Sequence, residues 1–376
     1  LSALFIFKRI QKENTMKKRL FSFMLSIIMM LSLSVTSFAA NIDMDSEASL
    51  DSSFAIDEEF VSNKILENHG LVITPTASYH LLDTSGNPTY TCVEFTYNDS
   101  GIGYGIVDLC SYELVLYSLE KEPLFEEDDL VVYSGTLDFA VVQDDGVTAV
   151  DILTQDYVPI ENIQNTVRNG LSVKTVTERE NCVNQISANA LTRSVETEKV
   201  VSGGYDEDLV YSSGNNSGTY TTDCGINAIA MYLRHLDEYF GGGYLLSTLT
   251  TESKLKVSLA AYTNRTLGKL TNLTTTQLAT ISNGYTEEHG TSHTNIASSS
   301  YTWTKFKNTI DGGDGVPCYL RVGAGETSYW DSAHFVIGVG HTAGATSTSG
   351  SIRVNSGWVS LGYVYIGTSI PSHIVN

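Results

Sequence analysis

Basic residues are scarce in this chain of 376 residues: 22 Lys and Arg stand against 43 Asp and Glu. A surface that follows a phosphate backbone needs a basic patch, and only short basic clusters exist, which argues against a nucleic-acid partner. Charge of either sign is thin, at 17% of residues, well below the quarter typical of soluble domains. Proline is down to 6 residues. Cysteine is limited to Cys92, Cys110, Cys182, Cys224 and Cys318, with no close pair. That excludes a dense disulfide scaffold and any CxxC zinc or redox site. Cys92 and Cys110 fall on neighbouring predicted strands and either pair or remain two buried thiols. No repeat of 20–50 residues is visible, and no apolar run after residue 40 is long enough to span a bilayer. What is abundant is apolar and hydroxylated: 42% hydrophobic residues with 21 Tyr supply core for one or two packed domains and argue against disorder.

Met16 opens Met16-Lys17-Lys18-Arg19, an apolar run follows over 20–35, and then Thr36-Ser37-Phe38-Ala39-Ala40. This order of basic, apolar and small residues is that of a secretory signal peptide over 16–39, with residues 1–15 an over-extended reading frame. The alternative is an uncleaved anchor, disfavoured by the small-residue site directly after the run. The mature protein is therefore expected to be secreted, extracellular or wall-associated, with no stable membrane anchor. Its acidity is uneven: residues 41–204 carry 7 basic and 29 acidic residues, and residues 205–376 carry 9 and 13. The asymmetry divides the mature chain into two differently built halves.

In the first half, 41–58 is acidic and Ser-rich and reads as a flexible leader, and 59–69 as a short helix ended by Gly70. Segments 71–74, 79–82, 90–97, 103–109 and 113–118, rich in Val, Ile, Tyr and Thr, are separated by turn sequences and predict an antiparallel meander. Further strands are expected at 130–133, 137–142 and 147–153, and a helix at 160–168. Residues 171–204 have weak periodicity and end in Ser202-Gly203-Gly204, the pattern of an exposed connector. In the second half, Ile226, Ile229, Ala230, Leu233 and Leu236 recur at steps of three and four, predicting a helix from about Gly225 with one apolar face. Shorter helices are expected at 254–262, 275–282 and 303–310, and strands at 316–322, 334–341, 351–355 and 362–366.

Three features carry chemistry. Asp223-Cys224-Gly225 opens the amphipathic helix, and a thiol at a helix N-terminus feels the positive end of the macrodipole and unpaired N–H groups, which favour thiolate. The plain structural reading is a buried Cys in a turn capped by Asp223. His334 leads an apolar strand 110 residues later, where a strand end can present an imidazole. Asn355-Ser356-Gly357-Trp358 follows 21 residues further on, at the end of the next strand. If those strands form a hairpin, Asn355 can hold one ring nitrogen of His334 while Trp358 shields the bond; otherwise this is an ordinary turn. His341 lies seven residues beyond His334, expected on the opposite face and at the far end of the strand. His289 and His293, with Glu287 and Glu288, would make a metal site only on a helix that Gly284, Gly290 and Thr291 interrupt; no metal or organic cofactor is expected.

Cys224, His334 and Asn355 in this order resemble the papain-like cysteine peptidases, in which Cys at a helix start is followed by a His-led strand and an Asn-Ser-Trp-Gly turn. The likeness is to the bacterial branch, the bacteriocin-processing-type and streptopain-like enzymes, and covers about 205–376. The helix 302–310 followed by Val316-Pro317-Cys318-Tyr319-Leu320 adds to it. Gly103-Tyr104-Gly105-Ile106-Val107-Asp108 and Leu114-Val115-Leu116-Tyr117-Ser118 resemble the streptopain-like pro-domain. The resemblance implies an α+β fold: a small α+β pro-domain over 40–170, a connector or processing region over 171–204, and a papain-like peptidase domain over 205–376. It also implies a zymogen whose own pro-domain acts as intramolecular inhibitor and chaperone, and a protein or peptide substrate.

Two departures stand out. The papain pattern has Gln six residues before the nucleophile, where this chain has Gly218, so the oxyanion hole would need the Cys224 N–H and a side chain such as Asn215, Asn216 or Tyr220. The turn reads Asn-Ser-Gly-Trp, displacing the Trp by one residue. The expected activity is a secreted cysteine endopeptidase. A cell-wall peptide amidase or endopeptidase on the same fold and a non-catalytic binding protein with a degenerate peptidase fold are the alternatives.

Overall fold

Two periodicities build the N-terminal half. A run of β-branched and aromatic residues, punctuated by Gly and Asn turns, forms strands β1 (Ile73–Leu82), β2 (Pro88–Tyr97), β3 (Gly101–Asp108) and β4 (Glu113–Ser118). They pair antiparallel in sequence order, as the meander reading predicted, except that the two strands expected at 71–74 and 79–82 are one continuous strand, β1. One face of the meander buries Val93, Phe95, Val107 and Leu114 against Phe60, Val61 and Ile65 of helix α1 (Glu47–His69). The computed structural model describes residues 47–376 except 84, 136, 154–156, 161–171, 191–197, 202–223, 247, 250, 271–272, 313–314, 323–333 and 358–360. The expected signal peptide lies outside these residues, as does the expected helix at 160–168 apart from Ile160.

Helix α1 starts well before residue 59, inside the segment read as a leader. The reason is Asp57: an acidic residue that looks solvated in the sequence is fully buried here. Arg179 donates to both its carboxylate oxygens at 3.0 Å, Thr91 donates at 2.9 Å and Tyr112 at 3.0 Å. Arg179 belongs to helix α2 (Val176–Ala190), so the expected connector contains a helix that is fastened to α1. A Thr175–Glu178 cap starts it, Thr175 donating its N–H and Oγ to Glu178. Strands β5 (Val131–Gly135), β6 (Asp138–Val142), β7 (Thr148–Asp151) and β8 (Tyr157–Pro159) extend the sheet beyond β1, to which β5 joins in parallel at Leu82 and Val132.

The C-terminal half comprises β9 (Lys199–Val200), α3 (Cys224–Tyr239), α4 (Glu252–Leu267), α5 (Thr275–His289), β10 (Ser298–Ser300), α6 (Trp303–Asp311), β11 (Cys318–Val322), β12 (His334–His341), β13 (Ser351–Asn355), β14 (Tyr363–Gly367) and β15 (His373–Val375). Helix starts follow Thr caps: Thr251, Thr274 and Thr302 each accept from the backbone N–H three residues on. Helix α5 runs on through Gly284, where a Cβ would collide with the Tyr262 hydroxyl of α4, so this glycine permits close helix packing and does not end the helix. His289 closes α5 and packs edge-on against Tyr262 and at a tilt against Tyr285, while His293 lies beyond it with Nδ1 on the Thr286 carbonyl.

The strand order is β10-β15-β11-β12-β13-β14-β4-β3-β2-β1-β5-β6-β7-β8, with β9 on β12. Among the described residues this is a mixed α+β protein of six helices and one 15-stranded sheet. The sheet does not stop between the two halves, because β4 pairs with β14.

Candidate functional site

Cys224 is the first residue of α3, and behind it nearly every position to Leu236 is buried. The sequence predicts one apolar face; the helix is enclosed on most sides because it packs on β12 and β11, and on α4 and α5. Tyr232 of α3 meets Tyr319 of β11 with ring centroids 4.6 Å apart. Cys224 is half-buried, as is Cys182, whereas Cys92, Cys110 and Cys318 are buried. Cys92 and Cys110 are not joined in a disulfide. Burial pushes the Cys92 and Cys318 thiols well above the ordinary range, away from the nucleophilic form. Asn227, one helical turn after Cys224, is buried with no partner for its Nδ2 among the described residues. Nothing in the periodicity marks it beyond a polar residue inside an apolar run.

His334 is the first residue of β12 and pairs with Val322 of β11. It is half-buried, with Nδ1 shut off from solvent. Asn355 ends β13 and is 2% exposed. Its Oδ1 accepts the Gly357 N–H at 3.0 Å, and Ser356 donates its N–H and Oγ to the Gly362 carbonyl, so an Asx turn reverses the chain toward β14.

Strands β12 and β13 form the hairpin that the sequence suggested, and Asn355 lies toward the His334 end of it. The register sets Asn355 opposite Ile337, three positions from His334. Residues three apart on a strand point to opposite faces, so this register does not set the two side chains face to face. Tyr319 is also opposite Ile337, which puts Asn355 on the α3 side of the sheet.

His341 corrects an expectation. A bulge between Gly338 and Gly340 adds one residue, so His341 returns to the face of Gly338. A Cβ on Gly338 would meet Phe306 at 2.7 Å, and the His341 ring lies 6.4 Å from the same Phe306. His341 is at the far end of the strand as expected, 3% exposed, with Nε2 on Asp311 at 2.9 Å and Nδ1 on the Thr342 carbonyl at 3.0 Å. Its partners tie β12 to α6. Lys307 and His341 hold the Asp311 carboxyl below its usual range against the opposing effect of burial.

Gly225 lies buried in the first turn of α3. Asp223, Trp358 and the oxyanion candidates Asn215, Asn216 and Tyr220 lie outside the described residues. No described helix is long and apolar enough to cross a membrane. No family model matches the chain, and none of the curated proteins is similar to it.

Proposed function

We propose that this protein is a secreted cysteine endopeptidase of papain-like fold, made as a zymogen with a streptopain-like N-terminal pro-domain. The Cys224 thiolate attacks the scissile carbonyl and His334 takes up the thiol proton. His334 then protonates the departing amine as the C–N bond breaks, and water hydrolyses the thioester to release the acid and regenerate the thiol. Asn355 orients His334. The observation that carries the reading is the setting of Cys224: a half-buried cysteine on the first residue of a core helix that packs across the strand led by His334. The register of Asn355 opposite Ile337 favours a second reading, a secreted binding protein on the same fold with an incomplete triad.

The two are separated by comparing the chain with Cys224→Ala, both carrying Cys182→Ser so that the other half-buried cysteine does not confuse labelling. A peptidase trims itself and cleaves unfolded casein only when Cys224 is present. It also loses Cys224 to iodoacetamide well below pH 8. Intact chains, uncut casein and slow labelling in both proteins would establish the binding scaffold instead.

A further inference from the structure

The two halves meet at a junction built like a protein interior. Tyr365 of β14 pairs with Tyr117 of β4, and Ile366 with Leu116. All four are buried, and the two tyrosine rings stack 4.7 Å apart and 2° from parallel. Asn68 Nδ2 donates to the Tyr117 hydroxyl at 3.2 Å, and His69 Nε2 sits 2.8 Å from that hydroxyl, so α1 closes over the stack. Beside it Arg353 of β13 lies over the rings of Tyr363 and Tyr365 at 5.2 and 5.4 Å. Arg353 donates to Glu120, just past β4, and has Glu198 at 3.7 Å. One hydrophobic core runs through the junction, with Ile106 and Leu116 of the first half among Val354, Val364 and Ile366 of the second. A cavity of about 250 Å³ is walled by both halves, by Lys64 and Gln185 on one side and Ser349 and Thr368 on the other.

Taking the first half away would bare the edge of β14 at Tyr365 and Ile366, the two positions that β4 covers, while the other edge stays on β13; an open edge is a template for aggregation. Arg353 would also lose its partner Glu120. Charge points the same way, since residues 41–204 are strongly acidic and the cation at the centre of the junction belongs to the other half.

We infer that the N-terminal half is a lasting structural subunit: it donates β4 to the sheet and stays bound to the C-terminal half through β4–β14 pairing and the Arg353–Glu120 contact after the chain between them is cut. The inference goes beyond the peptidase reading and stands without it. A propeptide that is shed on activation would behave in the opposite way.

The test uses the full chain carrying Cys224→Ala, so that no activity enters, with a site for a sequence-specific protease placed between Ala190 and Glu198. Once a denaturing gel shows complete scission, the sample is run on a sizing column at neutral pH and about 1 μM, a concentration at which an interface this apolar holds together. The expected result is one complex at the elution volume of the uncut chain, with Glu120→Gln raising the dissociation constant about tenfold. Glu120 is partly exposed, so this change leaves each half folded. Separation of the pieces, or a Glu120→Gln constant within twofold of the parent, would overturn the inference. If the chain that keeps Cys224 fails to cleave casein while the cut Cys224→Ala chain still co-elutes, the peptidase reading alone falls.

Discussion

Acid should loosen the molecule at the junction through His69. Burial and the nearby Arg353 lower this histidine from its ordinary 6.5 to about 4. The hydrogen bonds agree: Tyr117 accepts from Asn68 and has a single proton to give, which it donates to an unprotonated His69 Nε2. A histidine whose folded value lies below its unfolded value binds its proton more readily unfolded. Stability is therefore full above pH 6.5 and falls as the pH drops toward 4. At about 1.4 kcal/mol per pH unit of difference, the loss between pH 7.5 and 4.5 is about 2–3 kcal/mol. The comparison is between Cys224→Ala and Cys224→Ala with His69→Gln, by urea unfolding at a series of pH values. Other groups, including His80, which burial also holds low, are common to both proteins and cancel. The parent should lose about 2–3 kcal/mol more than the glutamine variant over that interval. Parallel curves would refute the argument, since His69 would then titrate alike in the folded and unfolded chains.

Two further outcomes follow from packing. Arg179→Met leaves the buried Asp57 carboxylate with only Thr91 and Tyr112, and should cost about 3–5 kcal/mol in chemical unfolding, while Asp57→Leu with Arg179→Met should recover most of that loss. Gly340→Ala puts a Cβ 2.6 Å from the Lys199 carbonyl and should cost about 1–3 kcal/mol, seen as faster amide exchange at Val201, whose N–H donates to Val339 at 2.8 Å.

The sequence was most readable where one face of an element is wet and the other dry. The meander from β1 to β4, the start of α3 and the bounds of β12 and β13 follow from alternation, from the three-and-four spacing and from Gly or Asn turns. It was least readable where a buried charge breaks the pattern. Asp57 and Arg179 look like solvent-facing residues, so the part of α1 before Glu59 read as a leader and α2 as a connector, although each residue is the other's buried partner. The short strands β8, β10 and β15 carry too few residues to show a period, and pairing defines them.

The candidate triad shows how far residue order can go. Helix start, strand start and strand end could each be read in the sequence, because each is a boundary with its own residue chemistry. Whether the three side chains converge is a question of register, and strand register carries a period of two. The bulge between Gly338 and Gly340 turns His341 back to the Gly338 face, but it lies beyond the Ile337–Asn355 pair and leaves the offset between His334 and Asn355 untouched. One added residue between His334 and Ile337 would place both side chains on one side of the sheet. Whether His334 and Asn355 share a face of the sheet thus turns on a single residue of register in one hairpin.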